Sequence, residues 1–408
     1  MYFSSFSDIN SDLKKQNTYK NNQRLNPSYN LIKSVNNDYF TNNSMIIQRN
    51  NNNYHKKYFY NDSNHNMNNK NTYNEYENII TSKIGLYNLG NTCYMNTCLQ
   101  NLIHCKFFIK KLVKINQRQK ISKFTPIALE FFNLCHTLSN PNEIIGNPSN
   151  FKKIFSSKHS EYRGYSQLDT QEFCRVLLED MNYELNEIKF KSKYKELITE
   201  GKSKKQCDKE FDELFRSREN SIIIDTFYAQ IINIFTCECG YETYSFQKIL
   251  DLPLLLPGDD VPVSVNKLLE DYFEGDEINF TEKCKKCGKK RKHRKEIKIS
   301  QPSNVLILSF QRINERNNKK NLSEISFSEK LNMKKYVDSD CGFYNESQYD
   351  LFGIICHKGR INFGHYYAFI KIEDRDWYEF NDSKITYIGK EINTRSTSVY
   401  ALFYQKRA

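Results

Sequence analysis

Long apolar runs are missing from this chain. The most continuous of them, such as Val305-Leu306-Ile307-Leu308, falls far short of the roughly 20 residues that a membrane span requires, so no membrane association is expected. The opening Met1-Tyr2-Phe3-Ser4-Ser5 lacks the basic-then-apolar design of a secretory signal. The closing Gln405-Lys406-Arg407-Ala408 carries no lipid-anchor motif, and no internal repeat is visible. These absences lead us to expect a chain kept in a reducing compartment, cytoplasmic or nuclear. Its 12 cysteines then call for thiol chemistry, metal or packing as their explanation rather than disulfides.

Hydrophobic residues make up 38% of the 408 positions and the mean hydropathy is −0.73, which implies that part of the chain does not fold. Residues 1–82 are crowded with Asn, Lys, Tyr and Ser, as in Asn50-Asn51-Asn52-Asn53, and read as a disordered Asn-rich tail. Residues 83–408 are left as one large catalytic region. Lys and Arg outnumber Asp and Glu by 60 to 48, a net +12, and such an excess can mark an acidic partner. Here it is spread over the tail and loops, so solvated surface is the better reading and nucleic acid is not an expected partner. The one dense cluster, around Lys289-Lys290-Arg291-Lys292, reads as a basic hairpin facing solvent rather than a nuclear-import or RNA-contacting patch.

The segment from Gly85 to Asn96, Gly-Leu-Tyr-Asn-Leu-Gly-Asn-Thr-Cys-Tyr-Met-Asn, places Cys93 where a glycine-bearing loop becomes a helix. Apolar residues recur at 98, 99, 102 and 103, a helical stripe, and Asn91 and Thr92 are N-capping residue types. A helix N-terminus carries partial positive charge and unpaired N–H groups, which favour a thiolate and can hold an oxyanion. On this segment alone Cys93 is either a nucleophile or a buried inert thiol. A second helical pattern runs over about 169–188, opened by Asp169 and carried by Phe173, Val176, Leu177 and Met181, and 190–220 reads as an exposed helical insertion. From about 221 the texture turns to short β-rich runs, Ile222-Ile223-Ile224 and Ile231 to Phe235 among them. An α-rich half followed by a β-rich half predicts an α+β enzyme with a cleft between them.

A cysteine nucleophile needs a base, and the base needs an orienting group on its other nitrogen. Of the eight histidines, His55 and His65 fall in the tail, His104 and His136 in helical contexts, His159 before a polar loop and His293 in the basic cluster. His365 stands in Asn362-Phe363-Gly364-His365-Tyr366, where a glycine-bearing loop delivers the imidazole onto a strand. If Asp376 to Phe380 pairs antiparallel with 366–370, Asn381 returns to the neighbourhood of His365, where its amide carbonyl can fix the tautomer.

These segments together resemble the ubiquitin-specific protease family of papain-like cysteine proteases. Gly85 to Gln100 is similar to its cysteine box, and Tyr349 to Tyr367 with Trp377 to Ser383 to its histidine box. Gln167 to Phe173 resembles the glutamine and acidic motif, Val305 to Arg312 the central strand and Tyr400 to Tyr404 the last strand. The match covers about 83–406 in the family's order. It implies a papain-like α+β fold with a thumb (about 83–220), a palm and β-fingers (about 226–300), and a deubiquitinating hydrolase whose partners are ubiquitin and ubiquitinated proteins. By the same resemblance Cys93 is the nucleophile, His365 the base, Asn381 the orienting residue and Asn88 the oxyanion-stabilising amide. Asp382 is a helper or a turn former. Asp169 and Glu172 face the basic, diglycine-ended tail of ubiquitin, with a structural helix role open for Glu172, and Gly364 and Tyr366 line the same channel.

Cys284-Lys285-Lys286-Cys287 is a metal knuckle of the kind the family pairs with an earlier C-x-x-C to hold a structural zinc. Here the earlier pair is Cys237-Glu238-Cys239, one residue short. A C-x-C pair still chelates, so zinc is expected, against a degenerate ribbon that kept its thiols without the ion. No catalytic cofactor is expected. The chain also departs from the family at Ile313, where an aromatic is usual, and in the Asn- and Lys-rich loop to Asn321 that borders the cleft. His357 reads as a packing or gating residue. Two other functions stay open: a silent ubiquitin-binding scaffold, set against competent residues at every triad position, and a protease for another modifier with a Gly-Gly tail.

Overall fold

The computed structural model describes residues 69–407 except 119–120, 124, 194, 259, 280–282, 291, 315–318, 344 and 361–362. Residues 1–68, most of the expected tail, lie outside the described residues. The end of that segment is a helix, α1 (Asn69–Ile80), which corrects the reading of 1–82 as wholly disordered. Its apolar residues come late and so give little periodicity, but Ile79 and Ile80 are buried in the core that follows. The Ser82 hydroxyl then donates to the Leu138 carbonyl at 2.6 Å.

Helices α2 (Cys93–Ile103), α3 (Lys106–Gln117), α4 (Pro126–Leu138), α5 (Ser149–Lys158) and α6 (Thr170–Leu185) form the first half. α2 is its axis: every one of its residues is buried. The stripe of Cys98, Leu99, Leu102 and Ile103 enters the helical core. The opposite, polar face is also buried and so must find partners. Gln100 Nε2 donates to the Ile84 carbonyl at 3.0 Å, Asn101 Nδ2 to the Thr97 carbonyl at 2.8 Å, and the His104 ring lies 2.9 Å from the Ser82 carbonyl.

Beside α2, Phe173 on α6 sits in an aromatic cluster, with ring centroids 5.5 Å from Tyr94, 5.0 Å from Phe155 and 5.7 Å from Tyr162. Phe173 is 0% exposed. We expect Phe173→Ala to cost about 3–5 kcal/mol by the loss of contacts and the cavity left behind. Tyr183→Ala, on the exposed side of the same helix, is expected to stay within about 0.5 kcal/mol. Urea denaturation of the two variants checks the contrast.

The insertion holds α7 (Lys204–Arg216), started by a capping box in which Ser203 and Gln206 serve each other's backbone. Residues Ile222-Ile223-Ile224, read as a β run, instead open α8 (Ile222–Phe227). The Ser221 hydroxyl accepts from the N–H groups of Ile223 and Ile224 and starts the helix, which packs onto the helical core. A short β-branched run cannot be told from a buried helical turn by periodicity, and here tertiary burial decides.

A short parallel pair, β1 (Gly85–Leu86) with β2 (Ile145–Gly146), lies in the first half, and the second half is built on two large sheets. The fingers are β3 (Ala229–Cys237), β4 (Glu242–Ile249), β6 (Asp276–Asn279) and β7 (Lys292–Gln301), in the order β4-β3-β7-β6 and all antiparallel. The palm joins β5 (Leu252–Leu255), β8 (Val305–Gln311), β9 (Gln348–Arg360), β10 (Phe363–Ile372), β11 (Asp376–Asn381), β12 (Lys384–Gly389) and β13 (Val399–Lys406). Its order is β12-β11-β10-β9-β13-β8-β5, with β5 and β8 the parallel pair. Among the described residues no helix is long and apolar enough to cross a membrane.

Candidate active site

Cys93 starts α2, and the loop before it is shaped by its own side chains. Asn88 Oδ1 accepts from the N–H of Gly90 at 3.0 Å and of Thr92 at 3.1 Å, while Gly90 and Asn91 take positive φ of 96° and 54°. The Thr92 hydroxyl accepts from Leu89 N–H at 2.8 Å, so no side chain caps the helix. Thr92 occupies the cap position that the sequence suggested, yet spends its oxygen backwards. No cap therefore competes for the first-turn N–H groups beside the thiol.

The palm brings His365 to this point. β11 pairs antiparallel with β10 from Ala368↔Phe380 to Ile372↔Asp376, and the chain leaves the pairing at Asn381. The Asn381 carbonyl oxygen then lies 2.7 Å from His365 Nε2. Its NH2 donates to Glu379 Oε1 at 3.2 Å, which turns the oxygen toward the ring. The His365 pKa is pushed up to about 9, first by its hydrogen bond with Cys93 and also by that with Asn381, against the opposing effect of burial. With Nε2 on Asn381, Nδ1 is the nitrogen left for sulfur.

Asp382 does more than turn the chain. At φ 49°, its carboxylate accepts from Asn88 Nδ2 and from Asn96 Nδ2, each at 2.8 Å, and stands 3.9 Å from His365 Nε2. Its carbonyl accepts from Leu86 N–H at 2.8 Å. One residue thus ties the cysteine loop and α2 to the strand end that holds Asn381. Asn96, its second partner, was not singled out from sequence; a buried asparagine one turn beyond Cys93 was the available signal.

A cleft of about 120 Å³ opens beside Cys93, lined on one side by Tyr94 and Asp169 and on the other by His357, Gly364 and Tyr366. Asp169 caps α6, its Oδ1 accepting from Gln171 N–H at 2.7 Å and Glu172 N–H at 3.0 Å, while Oδ2 accepts from the Tyr400 hydroxyl. Burial raises the Glu172 pKa, and the neighbouring Asp169 and Glu161 raise it further. Carboxylates crowded in this way favour a cationic visitor. His357 is pushed down to about 4, first by burial and then by Lys320. Its ring packs 4.4 Å from Tyr366, and Lys320 Nζ lies 2.8 Å from its Nδ1. Of the packing and gating roles read for it, these contacts are those of packing. Lys320 was missed, and it holds the cleft loop by donating also to the carbonyls of His357 and Gly359 at 2.9 and 3.0 Å.

At the fingertip the sulfur atoms of Cys237, Cys239, Cys284 and Cys287 all lie within 4.8 Å of one another, with Cys239 and Cys284 3.7 Å apart. Thiolates around a tetrahedral ion at about 2.3 Å stand roughly 3.8 Å apart, so the donor set fits a metal ion. Both knuckles end in a glycine at positive φ, Gly240 at 80° and Gly288 at 67°. The C-x-C turn closes by Cys237 N–H donating to Tyr241 O at 2.9 Å and the longer one by Cys284 N–H donating to Lys289 O at 3.0 Å. The missing residue shortens the turn without separating the thiols. The Cys287 N–H, as the largest cause, pulls the Cys284 thiol down to about 6.

A helix-borne thiol, a strand-borne imidazole and a carbonyl behind it, set between a helical half and a sheet, define a papain-like α+β cysteine hydrolase. Residues 84–404 match the family model for ubiquitin carboxyl-terminal hydrolase. The chain belongs to that family, whose relatives here are cysteine-type ubiquitin hydrolases. It is 30% identical over 333 residues to ubiquitin carboxyl-terminal hydrolase Usp2 of Drosophila melanogaster, covering 79% of this chain and 34% of that one. It is 29% identical over 344 residues to ubiquitin carboxyl-terminal hydrolase 2 of Gallus gallus, covering 80% and 94%. The corresponding Homo sapiens protein is 27% identical, with 79% of this chain and 54% of that one covered. The chain thus spans about a third of the fly relative and half of the human one. In fold it is similar to the SAGA DUB module of Ubp8, Sgf11, Sus1 and Sgf73 bound to monoubiquitin, with a TM-score of 0.64 and 22% identity over 82% of this chain and 70% of that one.

Proposed function

We propose that this protein cleaves the isopeptide or peptide bond after the C-terminal glycine of ubiquitin, with Cys93 as nucleophile, His365 as acid–base and Asn381 as orienting residue. The observation that carries the reading is the Cys93–His365–Asn381 chain opening onto a cleft walled by Asp169 and, beside it, Glu172. The Cys93 thiolate attacks the glycine carbonyl. The developing oxyanion is received by the first-turn N–H of Cys93 and by the Asn88 Nδ2 hydrogen that Asp382 leaves free. His365 then gives its proton to the departing lysine nitrogen, and later takes one from the water that hydrolyses the thioester. The carboxylates receive the arginine-containing tail of ubiquitin, by charge-assisted hydrogen bonds.

Zinc held by Cys237, Cys239, Cys284 and Cys287 supplies a structural crosslink at the fingertip and no chemistry in the cleft. Free thiols at all 12 cysteines suit a reducing compartment, cytoplasm or nucleus. The test is treatment of the full chain with ubiquitin carrying a C-terminal electrophile, beside other modifiers that end in Gly-Gly. A covalent ubiquitin adduct mapped to Cys93 is the expected result. An adduct with another modifier alone, or none, sinks the proposal.

A further inference from the structure

One hydrogen-bonded rung crosses the cleft. Gln167 Nε2 donates to the Gly364 carbonyl at 3.2 Å, and Gly364 N–H donates to Gln167 Oε1 at 3.1 Å. A side-chain amide is here exchanging both bonds with the main chain of a single residue, as a peptide on a neighbouring strand would. The place is available because the β10 edge is open: β11 reaches along β10 only as far as Ala368. The palm wall is bare backbone at this point because a Cβ on Gly364 would strike the His357 ring.

The loop that carries Gln167 is tied down on the other wall. Lys152 Nζ donates to the Gly164 carbonyl at 2.6 Å and Asn91 Nδ2 to the Tyr165 carbonyl at 2.7 Å. The Tyr165 ring covers Gly90 so closely that a Cβ there would come within 2.5 Å of it. Two residues past Gln167, Asp169 caps α6. Both ends of the rung are therefore fixed, and Cys93 lines the same cleft as Gln167 and Gly364.

We infer that Gln167 is a specificity-determining residue: its amide rung to Gly364 sets the clearance of the passage to Cys93, so that the acyl donor passes only where its penultimate residue lacks a side chain. The inference rests on the ubiquitin hydrolase reading above. An acyl carbonyl must reach Cys93 while the residue before it lies between the two anchored walls. A methyl on that residue meets the rung, and the anchored walls cannot yield to it at no cost. Gln167 itself is exposed and its removal leaves the core intact.

The test compares two fluorogenic reporters, ubiquitin ending in Gly-Gly and ubiquitin whose penultimate glycine is alanine, on the full chain and its Gln167→Ala and Gln167→Glu variants. Wild type is expected to favour the Gly-Gly reporter by about 100-fold or more in kcat/KM, the upper range for one added carbon in a tight pocket. Gln167→Ala is expected to narrow that ratio by about 10-fold, chiefly by a gain on the alanine reporter, since only the added carbon meets the rung. Gln167→Glu keeps the length but sets a carboxylate oxygen against the Gly364 carbonyl, so its ratio is expected between the two. A rung that merely braces the fold lowers both reporters equally, and one that occupies the substrate's own place raises both. Either result leaves the ratio unchanged and overturns the inference while the hydrolase reading stands. A wild type without preference overturns it as well, and a wild type inert on the Gly-Gly reporter overturns both.

Discussion

Cys93→Ala is expected to lower kcat/KM on a ubiquitin C-terminal reporter by about 10⁴-fold or more, His365→Ala by nearly as much, and the double variant by no more than the worse single one. The non-additivity follows from the geometry. The imidazole depends on the thiol: the hydrogen bond with Cys93 is the largest reason that His365 holds its proton up to about pH 9. With either gone, the other has no partner to activate. The pH profile carries the finer test. A raised imidazolium pKa means that the proton-donating form is present below about 9 and lost above it, so the alkaline limb of kcat/KM belongs there. Asn381→Ala removes a hydrogen bond that raises this pKa, so the limb must move to lower pH. Full activity in Cys93→Ala, or an Asn381→Ala limb that stays in place, would contradict the assignment.

The parts of the site legible in the sequence are those that local patterns encode. The return of Asn381 to His365 followed from two strand-like runs and a short connection, and the register Ala368↔Phe380 delivers it. The buried stripe of α2 followed from spacing alone. What stayed hidden depends on partners far along the chain. Gln167 meets Gly364 across 197 positions, and a side chain whose partner is main chain leaves no complementary residue type to notice. Asp382 stays open between a helper and a turn former in the sequence because its carboxylate partners, Asn88 and Asn96, lie nearly 300 positions earlier. Ile222 to Ile224 misled for a different reason: one serine hydroxyl converts a β-prone run into a helix, and no periodicity in three residues can register that. The short C-x-C pair departs from the usual knuckle spacing, and a tighter turn still closes on the same sulfur cluster.

Loss of zinc is expected to unfold the fingers while the thumb persists. The reason lies in how little else holds the fingertip. β4 contributes no fully buried residue, and the buried part of β3 is mostly near its palm end, where Ile231 joins the palm core. Toward the tip, Cys237 and Cys284 are the buried apolar groups among the described residues. Structural zinc in isolated finger peptides binds with about 10–16 kcal/mol, and a small part of that exceeds what a sheet with one thin face supplies. We therefore expect about one zinc per chain by elemental analysis, falling to near zero in Cys284→Ser. Hydrogen exchange in that variant should accelerate over β3, β4, β6 and β7 and stay slow in palm strand β5 and around Phe173. Stripped of metal, the four thiols are also placed to oxidise, with Cys239 and Cys284 3.7 Å apart, so a chelated sample should gain a disulfide unless reductant is present. A zinc-free wild type whose finger strands remain protected from exchange would show that hydrogen bonding alone holds the ribbon, and the role given to the four cysteines would fall.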